Sequence, residues 1–422
     1  MMSKGDSWRA LKHRNYRVLY PASLLSNIGT WAQRIAQDWL VMELTDNNSV
    51  ILGLVTALQF LPSLLLSLWG GLLADRFDKR KLLFITNLGG GLGSAILGIL
   101  VISNVVQIWH VFLLAFVVGV FSAVDAPIRI SFNTELVGKD DLPNAVSLNS
   151  ANFNLGRLIG PAASGFLISI FGTGPSFLVN SLTYVAIMFA LSRLRTSELH
   201  KVAKPNRSAS LGEAFGYVFK HRNIAIVMLT VFFATTFGLN YQIFMAVMAT
   251  TVFYKGPTEF GALGTFLAIG SFSGALLAAR LEHLRRPSVI ALGAVGFGLS
   301  LTTIAFAPSF ELFALSLPIG GCIALLTLVS ANSYVQTSTS QELRGRVMGI
   351  YLLIFMGGTP LGSPMIGWLA EQIGIRNTIF ACGVVVALGA LLCIWLLRGG
   401  KSDEPTSTEP PTDTRAIDIV GR

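Results

Sequence analysis

Twelve long apolar runs, parted by short polar stretches, decide what this 422-residue chain can fold into. They lie near 18–42, 50–73, 82–102, 108–127, 146–170, 176–194, 223–250, 261–279, 287–307, 311–331, 347–370 and 377–397. A bilayer core about 30 Å thick is crossed by about 20 apolar residues in a helix, and each run is of that order. Only 13% of the residues are charged, against about 25% in soluble domains. Strands do not fit, because barrel strands alternate over about ten residues and these runs are continuous and longer. The first run is not a cleavable signal: it is too long, lacks a small-residue cleavage site and is followed at once by another run.

Basic residues orient the spans. With the N-terminus placed in the cytoplasm, 27 of the 31 Lys and Arg fall on the cytoplasmic side, seven of them in the central loop. The opposite loops hold only Lys255 and Arg376, while Arg34 and Arg157 lie within spans. Under the positive-inside rule this asymmetry predicts a multi-pass protein of the plasma (inner) membrane with both termini cytoplasmic. The net charge of +9 is then a topology signal with some contact to anionic lipid, and no nucleic-acid partner is expected. Cys322, Cys382 and Cys393 sit in apolar runs as small hydrophobes. The five histidines fall in loops or at span ends, so a histidine relay through the membrane is not expected.

The chain divides at residues 195–219, its longest polar connection, into units 1–194 and 220–398. Residues 399–422 are rich in Pro, Thr and acids and are expected to be a disordered cytoplasmic tail. The two units repeat one another. Lys12-His13-Arg14-Asn15 returns as Lys220-His221-Arg222-Asn223; Gly156, Gly160 and Gly165 return as Gly358, Gly362 and Gly367. Six spans per unit make the repeats enter the membrane in the same sense, a parallel repeat about an axis along the membrane normal.

The loop Gly70 to Lys81, GGLLADRFDKRK, resembles the signature between spans two and three of the major facilitator superfamily, with Asp78 where that pattern prefers glycine. Span five, from Gly156 through Gly160-Pro161 to Gly165, is similar to the motif of that superfamily's antiporters. Asp125-Ala126-Pro127-Ile128-Arg129 and Asp141-Leu142-Pro143-Asn144-Ala145 resemble its branch of bacterial siderophore (enterobactin-type) and macrolide exporters. The resemblance implies an all-α membrane protein: twelve transmembrane helices in two parallel-repeat six-helix bundles.

It also implies roles for the motifs. Asp75 would face the N-terminus of span eleven and brace the halves as a cytoplasmic gate with Arg76, Lys79 and Arg80, a carboxylate gaining from the helix dipole. Asp125 would join this cluster with Arg129 and with Arg76 or Lys79. The competing reading, in which these charges only obey the positive-inside rule, accounts in part for Lys79, Arg80 and Lys81. The repeat of the loop carries Ala279 in place of Asp75, so the bracing is expected to be one-sided. Gly156, Gly160 and Gly165 let helices approach closely, and Pro161 bends span five.

Ionisable residues inside spans are costly unless paired or wet, and mark function by default. Arg34 and Asp38 are one turn apart in span one and can pair. Arg157, in the middle of span five, has no sequence-local partner: it is either an anion contact, a partner for an acid on span one, or a tie between helices. Superfamily proton antiporters commonly carry a base within span four, and the run Val111 to Val124 has none. The resemblance sets spans one, four, seven and ten around a central cavity, with Asn27, Gln37, Asn240, Tyr241, Gln242, Asn332 and Tyr334 as further polar candidates beside Arg34, Asp38 and Arg157.

The expected activity is secondary active transport by alternating access: proton-coupled efflux of a small amphipathic molecule of drug, macrolide or siderophore type, by a monomer. An importer on the same fold is the alternative, and a sensor or partner subunit a more distant one. No phosphate-binding Gly-x-x-x-x-Gly-Lys-Ser/Thr loop occurs, so no cofactor and no ATP site are expected, and a proton gradient is the expected energy source. Neither a catalytic triad nor a metal cluster is seen in the spans.

Overall fold

The computed structural model describes residues 8–200, 211–281 and 285–398. Among these every regular element is a helix: α1 Arg14–Leu44, α2 Ser49–Arg76, α3 Lys79–Ile102, α4 Ile108–Phe171, α5 Thr173–Ser192, α6 Leu211–Lys220, α7 Arg222–Phe233, α8 Tyr241–Val247, α9 Pro257–Arg280, α10 Pro287–Ala305, α11 Phe310–Ser338, α12 Arg344–Ile373 and α13 Ile375–Arg398. The starts are written in the sequence. Asn48, Asp78 and Ser309 cap α2, α3 and α11 by accepting a backbone N–H three residues on, and Pro257 and Pro287 open α9 and α10.

Among the described residues, ten helical units are long and apolar enough to cross a membrane. The expected twelve differs from this in two places. Helix α1 is not among the ten, since Asn27, Gln33, Arg34, Gln37 and Asp38 lower its hydropathy. Helix α4 is counted once, although its 64 residues would run about 96 Å if straight, some three bilayer cores. Gly138 breaks it at φ 73° and ψ −179°, a backbone state in which a side chain would be strained, and Pro143 follows. The run expected at 223–250 is also composite: π turns at Ala234–Gly238 and Met248–Val252 lie on either side of α8, and the path bends at Asn240. The 399–422 tail and residues 201–210 of the connection lie outside the described residues.

Helices α1 to α5 pack on one another, and α7 to α13 do the same. Two main seams join these groups: α2 against α12, and the stretch of α4 around residues 157–165 against α9. The repeat seen in the sequence reappears in the contacts. Gly156 lies against Asn27 and Gly358 against Thr235; Gly261 lies against Pro161 and Gly165, and Gly53 against Ser363 and Pro364. The turns that end α4 and α12 are Gly172 and Gly374, at φ 78° and 79°. Arg14 donates to the Arg193 carbonyl just past α5, and Arg222 to the Leu396 carbonyl in α13. One face of the bundle carries residue 8, the Phe77–Asp78 turn, Gly138 and α6; we call it the linker face, and the opposite end the far face.

Candidate functional site

Near the middle of α1, Trp31 gathers both intramembrane arginines. The Arg34 guanidinium carbon lies 4.6 Å from the Trp31 ring centre and 5.2 Å from that of Phe60 on α2. Arg157, on the second limb of α4, lies 5.7 Å from the same Trp31 ring. Its Nη2 reaches across the seam to donate to Ser271 Oγ of α9 at 3.1 Å. Thr265 Oγ1 donates to the Leu158 carbonyl 3.1 Å away, a second tie along this seam. Among the described residues neither arginine forms an ion pair, and Arg34 Nε is buried without a hydrogen-bond partner. The shared ring holds the two charges within about 10 Å of one another, where they repel by roughly 2 kcal/mol or more at an effective dielectric of about 20, so this pairing of cations has to be offset by its surroundings.

The surroundings offset it in part. Arg34 opens on a cavity of about 40 Å³ between α1, α2, α4 and α5, lined by Thr30, Gln33, Gln59, Ser63, Ser122 and Tyr184 among others. That volume holds a water or two. Behind it, Ser94 Oγ donates to Gln33 Oε1 at 2.6 Å, and Asn180 donates to the same oxygen.

The i to i+4 spacing of Arg34 and Asp38 does not produce the expected pair. Asp38 is 2% exposed and its Oδ2 has no hydrogen-bond partner, while Arg34 has turned to the two rings. Spacing sets the shared face of a helix, but the rotamer follows what the neighbouring helices offer.

The other candidates separate by neighbourhood. Asn27 Nδ2 donates to Asn152 Oδ1 at 2.8 Å and Gly156 packs on its backbone, so Asn27 ties α1 to α4. Asn240 donates to the Thr236 carbonyl at 2.8 Å inside the π turn, and its Oδ1 is buried without a partner. Tyr241 points into the bundle of α7 to α13, with its ring 6.3 Å from Phe297 and its hydroxyl close to Gly320. Asn332 is half-buried on α11. Gly160 lies against Trp31 and Ile28, Gly165 against Pro257, and Pro161 against Gly261 and Gly264.

At the linker face the expected cluster divides in two. Asp125 pairs with Arg129, 2.8 Å, and accepts from Thr86 and Asn87 at 2.8 and 2.9 Å. Lys79 goes to Glu135 instead of Asp125, and Arg80 donates to the Ser192 carbonyl. Arg76 is exposed, and Asp75 is half-buried at the end of α2. Beyond Gly138, Asp141 binds Arg9 at 2.6 Å and His13 at 2.8 Å, and the His13 hydrogen bond, followed by Arg9, holds its carboxyl below the ordinary range against the opposing pull of burial. Where a Cβ would stand on Gly345 and Gly349, in the first turns of α12, there is open space.

The far face is built differently. Ser49 Oγ, at the start of α2, lies 2.9 Å from the Gly367 carbonyl and 3.1 Å from Glu371 Oε2 near the end of α12. Gly53 and Gly367 leave no room for a Cβ against the opposing backbone. Glu135, Ser271 and Glu371 escaped the sequence reading because their partners are distant in sequence; an acid at the far end of span eleven was the one available signal.

A family model described as transmembrane secretion effector matches residues 5–417. Over 382 residues the chain is 29% identical to the staphyloferrin A transporter of Staphylococcus aureus, covering 87% of this chain and 92% of that protein. It is 28% identical to the multidrug efflux pump Tap of Mycolicibacterium fortuitum, covering 89% and 94%, and 22% identical to the enterobactin exporter EntS of Salmonella choleraesuis, covering 94% and 96%. Among solved structures, a bacterial homolog of the human lysosomal transporter Spinster superposes with a TM-score of 0.75 at 14% identity, covering 92% of this chain and 99% of that one. The D-xylose–proton symporter gives 0.69 at 15% identity, covering 89% and 97%.

Proposed function

This chain belongs to the transmembrane secretion effector family of the major facilitator superfamily, and from that premise we propose that it exports a small amphipathic molecule, of drug, macrolide or siderophore type, in exchange for protons. The relatives named as a multidrug efflux pump and an enterobactin exporter support the direction. The observation that carries the reading is the unequal seam. Helices α2 and α12 are clasped at the far face through Ser49, Gly367 and Glu371, while the linker-face turns of α12 have open space beside them. A transporter working by alternating access holds one end shut while the other admits substrate.

In this reading residues 1–194 and 220–398 are the two six-helix bundles, twelve spans in all with α1 included and α4 divided at Gly138. The 195–219 connection and the 399–422 tail are cytoplasmic. The linker face is the cytoplasmic face of the plasma membrane, a reading supported by the basic residues of the described loops on that side, among them Arg76, Lys79, Arg80 and Lys81. The protein acts as a monomer. Asp38 is the coupling acid: a buried carboxylate without a hydrogen-bonded partner is free to exchange a proton as its access changes.

Inverted membrane vesicles energised by respiration test this. Carboxyfluorescein, rhodamine 123 or labelled erythromycin should accumulate above vesicles lacking the protein, and nigericin should collapse the accumulation. Accumulation of none of the three, or accumulation indifferent to nigericin, overturns the export reading. The Asp38→Asn variant should fold yet lose proton-driven accumulation by tenfold or more; undiminished uptake removes Asp38 as the coupling acid.

A further inference from the structure

We infer that Arg34, Arg157 and Trp31 form the recognition site for an anionic substrate, one that carries at least one carboxylate beside an aromatic or apolar body. The inference rests on the export reading and narrows its substrate class. Arg34 and Arg157 are basic residues placed well inside apolar runs, away from the run ends, and the fold brings both to one indole ring. They come from different helices, α1 and α4, which contribute to the same wall of the seam.

The charge around them is unbalanced. Among the described residues Arg157 has one hydrogen-bond partner, the neutral Ser271 Oγ of the opposite half. Arg34 has none, and its Nε is fully buried. Each guanidinium carries five N–H donors in a planar fork that matches a carboxylate, so most of this donor capacity is unassigned. The other acids do not supply the balance: Asp125 is taken by Arg129, Thr86 and Asn87, and Glu371 accepts from Ser49 at the far face. Asp38, one turn from Arg34, is the remaining acid nearby and forms no ion pair with it.

The rings add direction to the charge. Trp31 faces both guanidinium groups, Phe60 backs Arg34, and Phe153 meets Trp31 edge to face at 5.6 Å. Stacking on aromatic faces orients the guanidinium plane and leaves its edge for bidentate contact. An aromatic or apolar body would stack on the same ring faces. A cationic one is repelled by two like charges in a low-dielectric setting.

Ser271 gives recognition a mechanical consequence. A carboxylate that takes the Arg157 fork competes with the bond from Arg157 to Ser271, and that bond spans the seam between α4 and α9. Binding the correct charge therefore loosens one tie between the halves.

The test compares two dyes with the same xanthene skeleton and opposite charge, carboxyfluorescein and rhodamine 123, by fluorescence polarisation on the purified full-length protein. Carboxyfluorescein should bind at least tenfold more tightly. Arg157→Gln should lower its affinity tenfold or more without weakening rhodamine 123, and Arg157→Lys should recover part of the loss. Ser271→Ala, which leaves both cations in place, should tighten carboxyfluorescein by releasing Arg157. Equal or tighter binding of rhodamine 123, or carboxyfluorescein affinity unchanged in Arg157→Gln, overturns the anion site while leaving export intact. Binding of neither dye overturns the anion site, and the export reading falls with it only if labelled erythromycin also fails to accumulate in the vesicles.

Discussion

The two ends of the α2–α12 seam are made from the same pair of antiparallel helices and are in opposite states. At the far face Ser49 engages Gly367 and Glu371, and Gly53 lies directly against Ser363 and Pro364. At the linker face the first turns of α12 have open space at Gly345 and Gly349. Each helix nevertheless ends in an acid, Glu371 near the end of α12 and Asp75 near the end of α2. A carboxylate set against a helix N-terminus gains a few tenths to about 1 kcal/mol from the dipole. Two such clasps at opposite ends of one seam cannot both close if the halves rock as rigid bodies. The seam is thus a balance, and Glu371 and Asp75 sit on its two arms.

The largest way to break this comparison is steric. Gly53→Val places a side chain where even a Cβ collides with the Ser363 carbonyl. Over-packing of this kind destabilises by about 1–3 kcal/mol, and the far face should no longer close. Transport should be lost, and a reporter cysteine at Val50, in a background free of Cys322, Cys382 and Cys393, should become reactive to a membrane-impermeant thiol reagent. A silent reporter would mean that the seam yields elsewhere.

Next in size is Glu371→Gln, which removes the charge at the N-terminus of α2 and keeps the shape. The dipole gain at stake, about 0.3–1 kcal/mol, corresponds to a two- to fivefold rise in labelling at Val50. Asp75→Asn should act on the other arm and in the opposite sense, raising the reactivity of a cysteine introduced at Gly349 by a similar or smaller factor. Equal responses at both reporters in both variants would show that the two acids do not oppose one another, and would reduce the Gly70 to Lys81 motif to topology.

Much of this frame was legible in the chain. The continuous apolar runs place the helices, and the repeat offsets survive as contacts: Asn27 against Gly156 is matched by Thr235 against Gly358. Chemistry was less legible, because it depends on which helices meet. Ser49 and Glu371 are 322 positions apart, and nothing in their spacing brings α2 to α12. Glu371 has Ser169 at its repeat-related position, Arg157 has Thr359 and Asp38 has Ala246, so comparing the halves shows where they differ but not what each residue faces. The Arg34–Asp38 pair failed for a related reason. Spacing put both on one side of α1, and the rings of Trp31 and Phe60 then drew the guanidinium away.

The smallest effect sharpens the comparison by what it leaves unmoved. Asp141, just past the Gly138 break in α4, ties that helix to the N-terminal arm through His13 and Arg9, away from the α2–α12 seam. Its carboxyl titrates below the ordinary carboxylate range. The stability it lends is therefore complete above about pH 4, the unfolded value, and is lost as pH falls through the lower folded one. An ion pair with an exposed partner such as Arg9 is worth about 0–1 kcal/mol. Asp141→Asn should thus lower the melting temperature slightly at pH 7, with the difference from the parent protein shrinking as pH falls below about 4. Labelling at Val50 and at Gly349 should not change in this variant, because a collar within one half biases neither arm of the seam. A shift at either reporter would show that the linker-face collar is part of the gate and not only a brace for α1 and α4.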